Sequence, residues 1–128
     1  MADPRIKQIR IKTGVVKRLT KEKSSYEKEV EDQERRIQKM KDEGKDEYDI
    51  KKQGEVLQES KAMVPDCLKR LNTAYVDLVN LLASEIDLKS AEEYALAEVV
   101  CAAAKEMLGS ATAINLISIL PLAAVGVL

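Results

Sequence analysis

The 128-residue chain contains no His, no Trp and no Phe, and four Tyr are its whole aromatic content. Without His there is no Ser-His-Asp or Cys-His relay, no His-containing zinc site and no imidazole proton switch. Cysteine is scarce as well, at Cys67 and Cys101 only. Two thiols cannot build a disulfide scaffold, and the opening MADPRIKQIRIK lacks the apolar core of a secretory signal, so the expected compartment is the cytosol with reduced thiols. Both cysteines read as small apolar residues on helix faces. The glycines stand alone at 14, 44, 54, 109 and 126, which leaves no phosphate-cradling loop. The 21 basic and 22 acidic residues nearly cancel, so the basic excess of a nucleic-acid binder is missing.

What is present is dense mixed charge at helical spacing. Asp3 reads as an N-cap with Pro4 at the first helical position, where its missing N–H costs nothing. Ile9, Val16, Lys23, Val30 and Ile37 then recur every seven residues, and Lys12, Leu19, Tyr26, Gln33 and Met40 follow each by three. This narrow stripe predicts a helix over 4–41, about 57 Å long, with Lys23 and Gln33 as polar interruptions that fix register. KDEGKDEYD follows, where Gly44 suits the left-handed residue that closes a helix.

A second helix is expected over 49–83, with a seam of Ile50, Leu57, Val64, Leu71 and Leu78 that fills best between 64 and 82. Pro65 removes a main-chain donor and crowds the carbonyl four residues back, which predicts a kink near residues 58–61 rather than a break. Ser90 and Glu93 match a capping box, with Asp87 an alternative cap. The third helix is expected from about Leu88 or Ala91 to Leu108 (88–108 at its longest), its face made by Leu88, Ala91, Ala95, Val99 and Ala102, flanked by Leu96, Val100, Ala103 and Met107. Three helices with short turns form an all-α, antiparallel three-helix bundle over residues 1–106, its middle helix kinked by proline.

All of the charged residues lie in the first 106, and 15 of the 22 residues in 107–128 are apolar. Such a segment is long enough for a C-terminal membrane anchor, although Gly, Ser, Asn and Pro dilute it. The other readings of 109–128 are a tail folded on the bundle and a variant C-terminus. Elsewhere, carboxylate clusters such as Glu27, Glu29, Glu31 and Asp32 spread around a solvated helix and form pairs such as Glu31 with Arg35. A slim bundle supplies no pocket to tune them, so the chain is expected to be no enzyme and to carry no cofactor or metal. Residues alone lead to a helical protein-interaction module.

The strings IKTGVVKRL at 11–19, YEKEVE at 26–31, YDIKKQ at 48–53, LQES at 57–60, MVPDC at 63–67 and AEEY at 91–94 resemble the tubulin-folding cofactor A family. Their order and spacing match it from about Ala2 to Tyr94, and the chain departs from it near Ala95. The resemblance implies a three-helix bundle with a proline in its middle helix. It also implies a cytoplasmic, cytoskeleton-associated chaperone that takes β-tubulin folding intermediates after the chaperonin and passes them toward the αβ heterodimer. Other tubulin-folding cofactors would be met indirectly, no nucleic acid is involved, and a membrane only if the tail inserts. The family offers no short binding motif to carry over. Met63, Pro65, Asp66, Lys69 and Arg70 are the contact candidates, a core or kink role being the first reading of Met63 and Pro65 and contact the second. A basic face of Arg5, Lys7, Arg10, Lys12, Lys17 and Arg18 would help attract an acidic partner. The second reading is a structural coiled-coil adaptor or homo-oligomer, anchored by its tail.

Overall fold

The computed structural model describes residues 3–110, so most of the uncharged segment, from 111 onward, lies outside the described residues. It contains α1 (Pro4–Asp42), α2 (Glu47–Ser84), a 3-10 turn (Ile86–Leu88) and α3 (Glu92–Ser110), and no strand among the described residues. The Asp3 carboxylate accepts the Arg5 N–H at 2.9 Å while its carbonyl accepts from Ile6 at 3.0 Å, so Asp3 caps α1 with Pro4 behind it.

Gly44 adopts φ +66°, and the bonds around it form a Schellman closure. The Lys45 N–H reaches the Met40 carbonyl at 2.9 Å and the Gly44 N–H reaches Lys41 at 3.1 Å. The second helix starts earlier than the apolar pattern suggests. The Asp46 carbonyl accepts the Ile50 N–H at 3.1 Å, and Glu47 and Asp49 place acidic charge on the first turn, where the helix dipole favours it. The helix runs unbroken through Pro65.

The chain forms two compact units. Among the described residues, the first joins 3–20 with 69–110. Here α1 and α2 are antiparallel: Arg5 pairs with Glu85 and Lys12 with Asp77, so seven residues forward on one helix match eight back on the other. The α3 segment returns along α2, with Tyr94 bonded to the Leu82 carbonyl and Cys101 beside Tyr75. The core is Ile9, Val16 and Leu19 of α1, Leu71, Tyr75, Leu78, Val79 and Leu82 of α2, and Tyr94, Ala97, Val100, Cys101, Ala104 and Leu108 of α3. Each large side chain buried contributes about 1.5 to 3 kcal/mol. The Thr13 hydroxyl, buried among them, donates to the Ile9 carbonyl at 2.6 Å.

The third helix corrects the sequence reading twice. Ile86–Leu88 is a 3-10 turn and α3 begins at Glu92, one residue past Ala91, the later of the two expected starts, while Glu93 takes a hydrogen bond from Arg10 at 3.4 Å rather than closing a box with Ser90. Its buried stripe is Tyr94, Ala97, Cys101, Ala104 and Leu108; Ala95 and Ala102 are exposed, and Leu96 and Val99 are 55% and 65% exposed. Apolar residues surround this helix, so periodicity picks no face. Small Ala97 and Ala104, both fully buried, permit the close approach.

The second unit is the hairpin Lys21–Leu68. Lys61 lies 3.7 Å from Glu34 across it. Its expected seam is only half-buried at Tyr26, Val30, Ile37, Met40, Ile50, Leu57 and Val64. The buried positions are Cys67, Ser60 and Lys23, the last 4% exposed with its ammonium on the Glu27 carboxylate. The Gln33 Oε1 is buried without a hydrogen-bond partner among the described residues. On the outer surface Arg35 pairs with Asp32 at 2.5 Å, three residues back, instead of with Glu31.

Candidate functional site

The first unit carries an open groove of about 660 Å³ between α1 and α2. From α1 it takes the positions 8, 11, 12, 15, 18 and 19, and from α2 the positions 69, 70, 73, 74 and 77, one face of each helix at three- and four-residue spacing. Leu19 is buried at its floor, Val15 and Ala74 are half-buried, and Ile11 is 49% exposed at its mouth. An isoleucine half in water beside an apolar floor is the feature that a partner's side chain would cover.

Charge is uneven along this groove. The Lys12 ammonium is paired with the Asp77 carboxylate at one end. The opposite end is lined by Arg18, Lys69 and Arg70, all exposed. The lining therefore holds four basic side chains against one acidic one.

Of the residues the sequence singled out, Lys69 and Arg70 line the groove. Met63, Pro65 and Asp66 belong to the second unit, Met63 half-buried and the other two exposed. Ile11 and Val15 were not singled out, although IKTGVVKRL holds their signal: 11, 15 and 19 form an apolar row at four-residue spacing beside the main seam. The expected basic face is partly dismantled by pairing. Arg5 reaches Asp3 at 2.7 Å, Glu85 at 2.8 Å and Asp87 at 2.9 Å, Arg10 lies on Glu93, and Lys12 on Asp77.

Two titratable groups of the first unit's core, Cys101 and Tyr75, keep their protons at neutral pH. Burial, with Glu98 adding to it, pushes the Cys101 thiol up to about 11, and burial beside Cys101 pushes Tyr75 up to about 12. A protonated thiol is neither nucleophile nor metal ligand. Among the described residues no group of three or more Cys, Asp or Glu is placed to hold a metal ion, and no helix is long and apolar enough to cross a membrane.

The pattern of the family described as Tubulin binding cofactor A matches residues 4–101, seven residues beyond the Tyr94 limit of the quoted strings. Human Tubulin-specific chaperone A is 60% identical over 100 residues, which cover 78% of this chain and 93% of that protein. Two solved structures are similar in shape: human tubulin chaperone cofactor A, with TM-score 0.70 and 55% identity over 80% of this chain and 99% of the other, and tubulin folding cofactor A from Arabidopsis thaliana, with TM-score 0.75 and 42% identity over 80% and 97%. Sequence pattern, identity and helical architecture agree, and the chain belongs to the tubulin binding cofactor A family.

Proposed function

We infer that this chain is a cytoplasmic, cytoskeleton-associated tubulin-folding chaperone. It binds β-tubulin folding intermediates after the chaperonin and passes them toward assembly of the αβ heterodimer, meeting the other folding cofactors only through that client. The observation that carries this reading is the 60% identity to human Tubulin-specific chaperone A across 93% of that protein. The role fits a molecule whose resource is helix surface. It holds a quasi-native client reversibly and hides surface that would otherwise aggregate, with no catalytic step and no energy source. The contact residues we assign to it are Met63, Pro65, Asp66, Lys69 and Arg70. Lys69 and Arg70, with Arg18, give the electrostatic part of the attraction.

The test mixes the full chain with β-tubulin released from chaperonin. A discrete 1:1 complex on a native gel is the expected result. Self-association at micromolar concentration without capture would instead favour a structural adaptor. Capture should weaken across a salt series, because exposed charges are screened over about 8 Å at physiological ionic strength.

A further inference from the structure

The two units differ in what they bury. The first shuts Ile9, Val16, Leu71, Tyr75 and Leu78 almost wholly from water, with segments of three helices to do it. The second has two helical arms of 22 residues each, 21–42 and 47–68, and its seam residues Val30, Ile37, Met40, Ile50, Leu57 and Val64 are only half-buried. Lys23 and Ser60, both polar, are buried there instead, and the Gln33 Oε1 is buried without a hydrogen-bond partner among the described residues. Taking a charge and an amide oxygen out of water opposes closure of the arms, while the half-buried seam supplies only part of the apolar gain that favours it.

We propose that the hairpin 21–68 opens as one unit while the first unit stays folded. A helix draws most of its stability from packing its apolar face rather than from propensity, so neither arm keeps its order once it has lost the other. That dependence makes the opening all-or-none across the hairpin. The second arm is also the weaker helix by composition, because it contains both Gly54 and Pro65, and Pro65 takes from it the main-chain bond to the Lys61 carbonyl. Ion pairs such as Arg35 with Asp32 and Lys61 with Glu34 hold it little, since all four side chains are exposed. Opening bares the seam's apolar side chains and leaves the core around Tyr75 and Leu78 intact. It is a property of the fold that holds whatever client the chain takes, and it lets the molecule offer apolar surface transiently without unfolding as a whole.

Amide hydrogen exchange of the full chain is followed by NMR at neutral pH, in the regime where exchange reports the opening equilibrium. Amides at 30, 37, 57 and 64 should share one protection factor, at least about 100-fold below that of amides at 75, 78, 97 and 101. Gln33→Leu removes the buried amide and should raise protection in the hairpin by about tenfold, and Ile37→Ala should lower it by a similar factor. Both should leave the first unit within about twofold of the parent. Ile9→Val, in the first unit's core, should do the converse, lowering protection at 75, 78, 97 and 101 and sparing the hairpin. Equal protection in the two units overturns the proposal. A parallel change in both units on either hairpin substitution also overturns it, because the opening is then global. So does protection that climbs smoothly away from Gly44 along both arms, which marks fraying of the turn rather than a single opening.

Discussion

The Tyr94 hydroxyl donates to the Leu82 carbonyl at 2.8 Å, tying the first turns of α3 to the last turns of α2. Nineteen residues back along α2 and α3 combined the relationship is inverted in Tyr75, equally buried, whose hydroxyl has no hydrogen-bond partner among the described residues. Removing each oxygen should therefore act in opposite senses. Tyr94→Phe leaves a buried carbonyl unsatisfied and should cost about 1 kcal/mol in urea unfolding. Tyr75→Phe removes an orphaned polar atom and should be neutral or stabilising. A Tyr75→Phe loss equal to that of Tyr94→Phe would contradict this assignment.

Alkaline stability should fall in two overlapping windows. The unfolded chain releases the Cys101 and Tyr75 protons at lower pH than the folded chain does, so it binds fewer protons there and stability drops as pH rises. The Cys101 contribution is intact below pH 9 and lost toward about 11; that of Tyr75 is intact below pH 10 and lost toward about 12. Urea midpoints taken at stepped pH should show the upper window disappear in Tyr75→Phe and the lower one in Cys101→Ala.

In acid the decisive group is Asp3. Hydrogen bonds from the Arg5 side chain and main chain hold its carboxyl below 3.8, so it stabilises the fold above that pH and ceases to do so as pH falls through its lowered value. Arg5→Gln should lower the melting temperature at neutral pH, because it also releases Glu85 and Asp87. The gap between parent and variant should close in acid. A gap that stays constant would remove Asp3 from the account.

Gly44 is the position where backbone handedness is at stake, since its φ is +66° and nothing crowds the place a Cβ would take. Gly44→Ala should destabilise by about 1 kcal/mol through backbone strain alone. Gly44→Asn should cost less, because Asn tolerates the left-handed region. Equal midpoints for the two variants would argue against that origin.

The register of α3 can be tested on neighbouring residues. Val99→Gln, on the solvent side, should change stability by no more than about 0.5 kcal/mol. Ala97→Gln, at a fully buried alanine, forces a polar amide into a filled contact and should cost at least about 2 kcal/mol. Similar losses at both would return α3 to the orientation that its apolar pattern first suggested.

Much of this architecture is legible in local chemistry. Asp3 followed by Pro4 marks the start of α1, Gly44 marks its end, and the heptad row is buried at its first three members, Ile9, Val16 and Lys23, and half-buried at Val30 and Ile37. Lys23 belongs to the core despite its charge because its long apolar stem reaches past the seam to Glu27. The face of α3 is not legible, because an alanine-rich helix offers several apolar stripes and tertiary contacts choose among them. The groove is half legible. Lys69 and Arg70 stand beside a conspicuous proline block, whereas Ile11 and Val15 lie off the heptad seam and become visible only when α2 stops short of covering them.

The turn between α1 and α2 is closed by two main-chain bonds and one left-handed glycine. Its many charged side chains are thus spectators to the closure. Apart from Gly44, the letters of this loop can be rewritten for other purposes: a lone cysteine for a dye, a short epitope or a surface tether could be written there without erasing a bond that turns the chain.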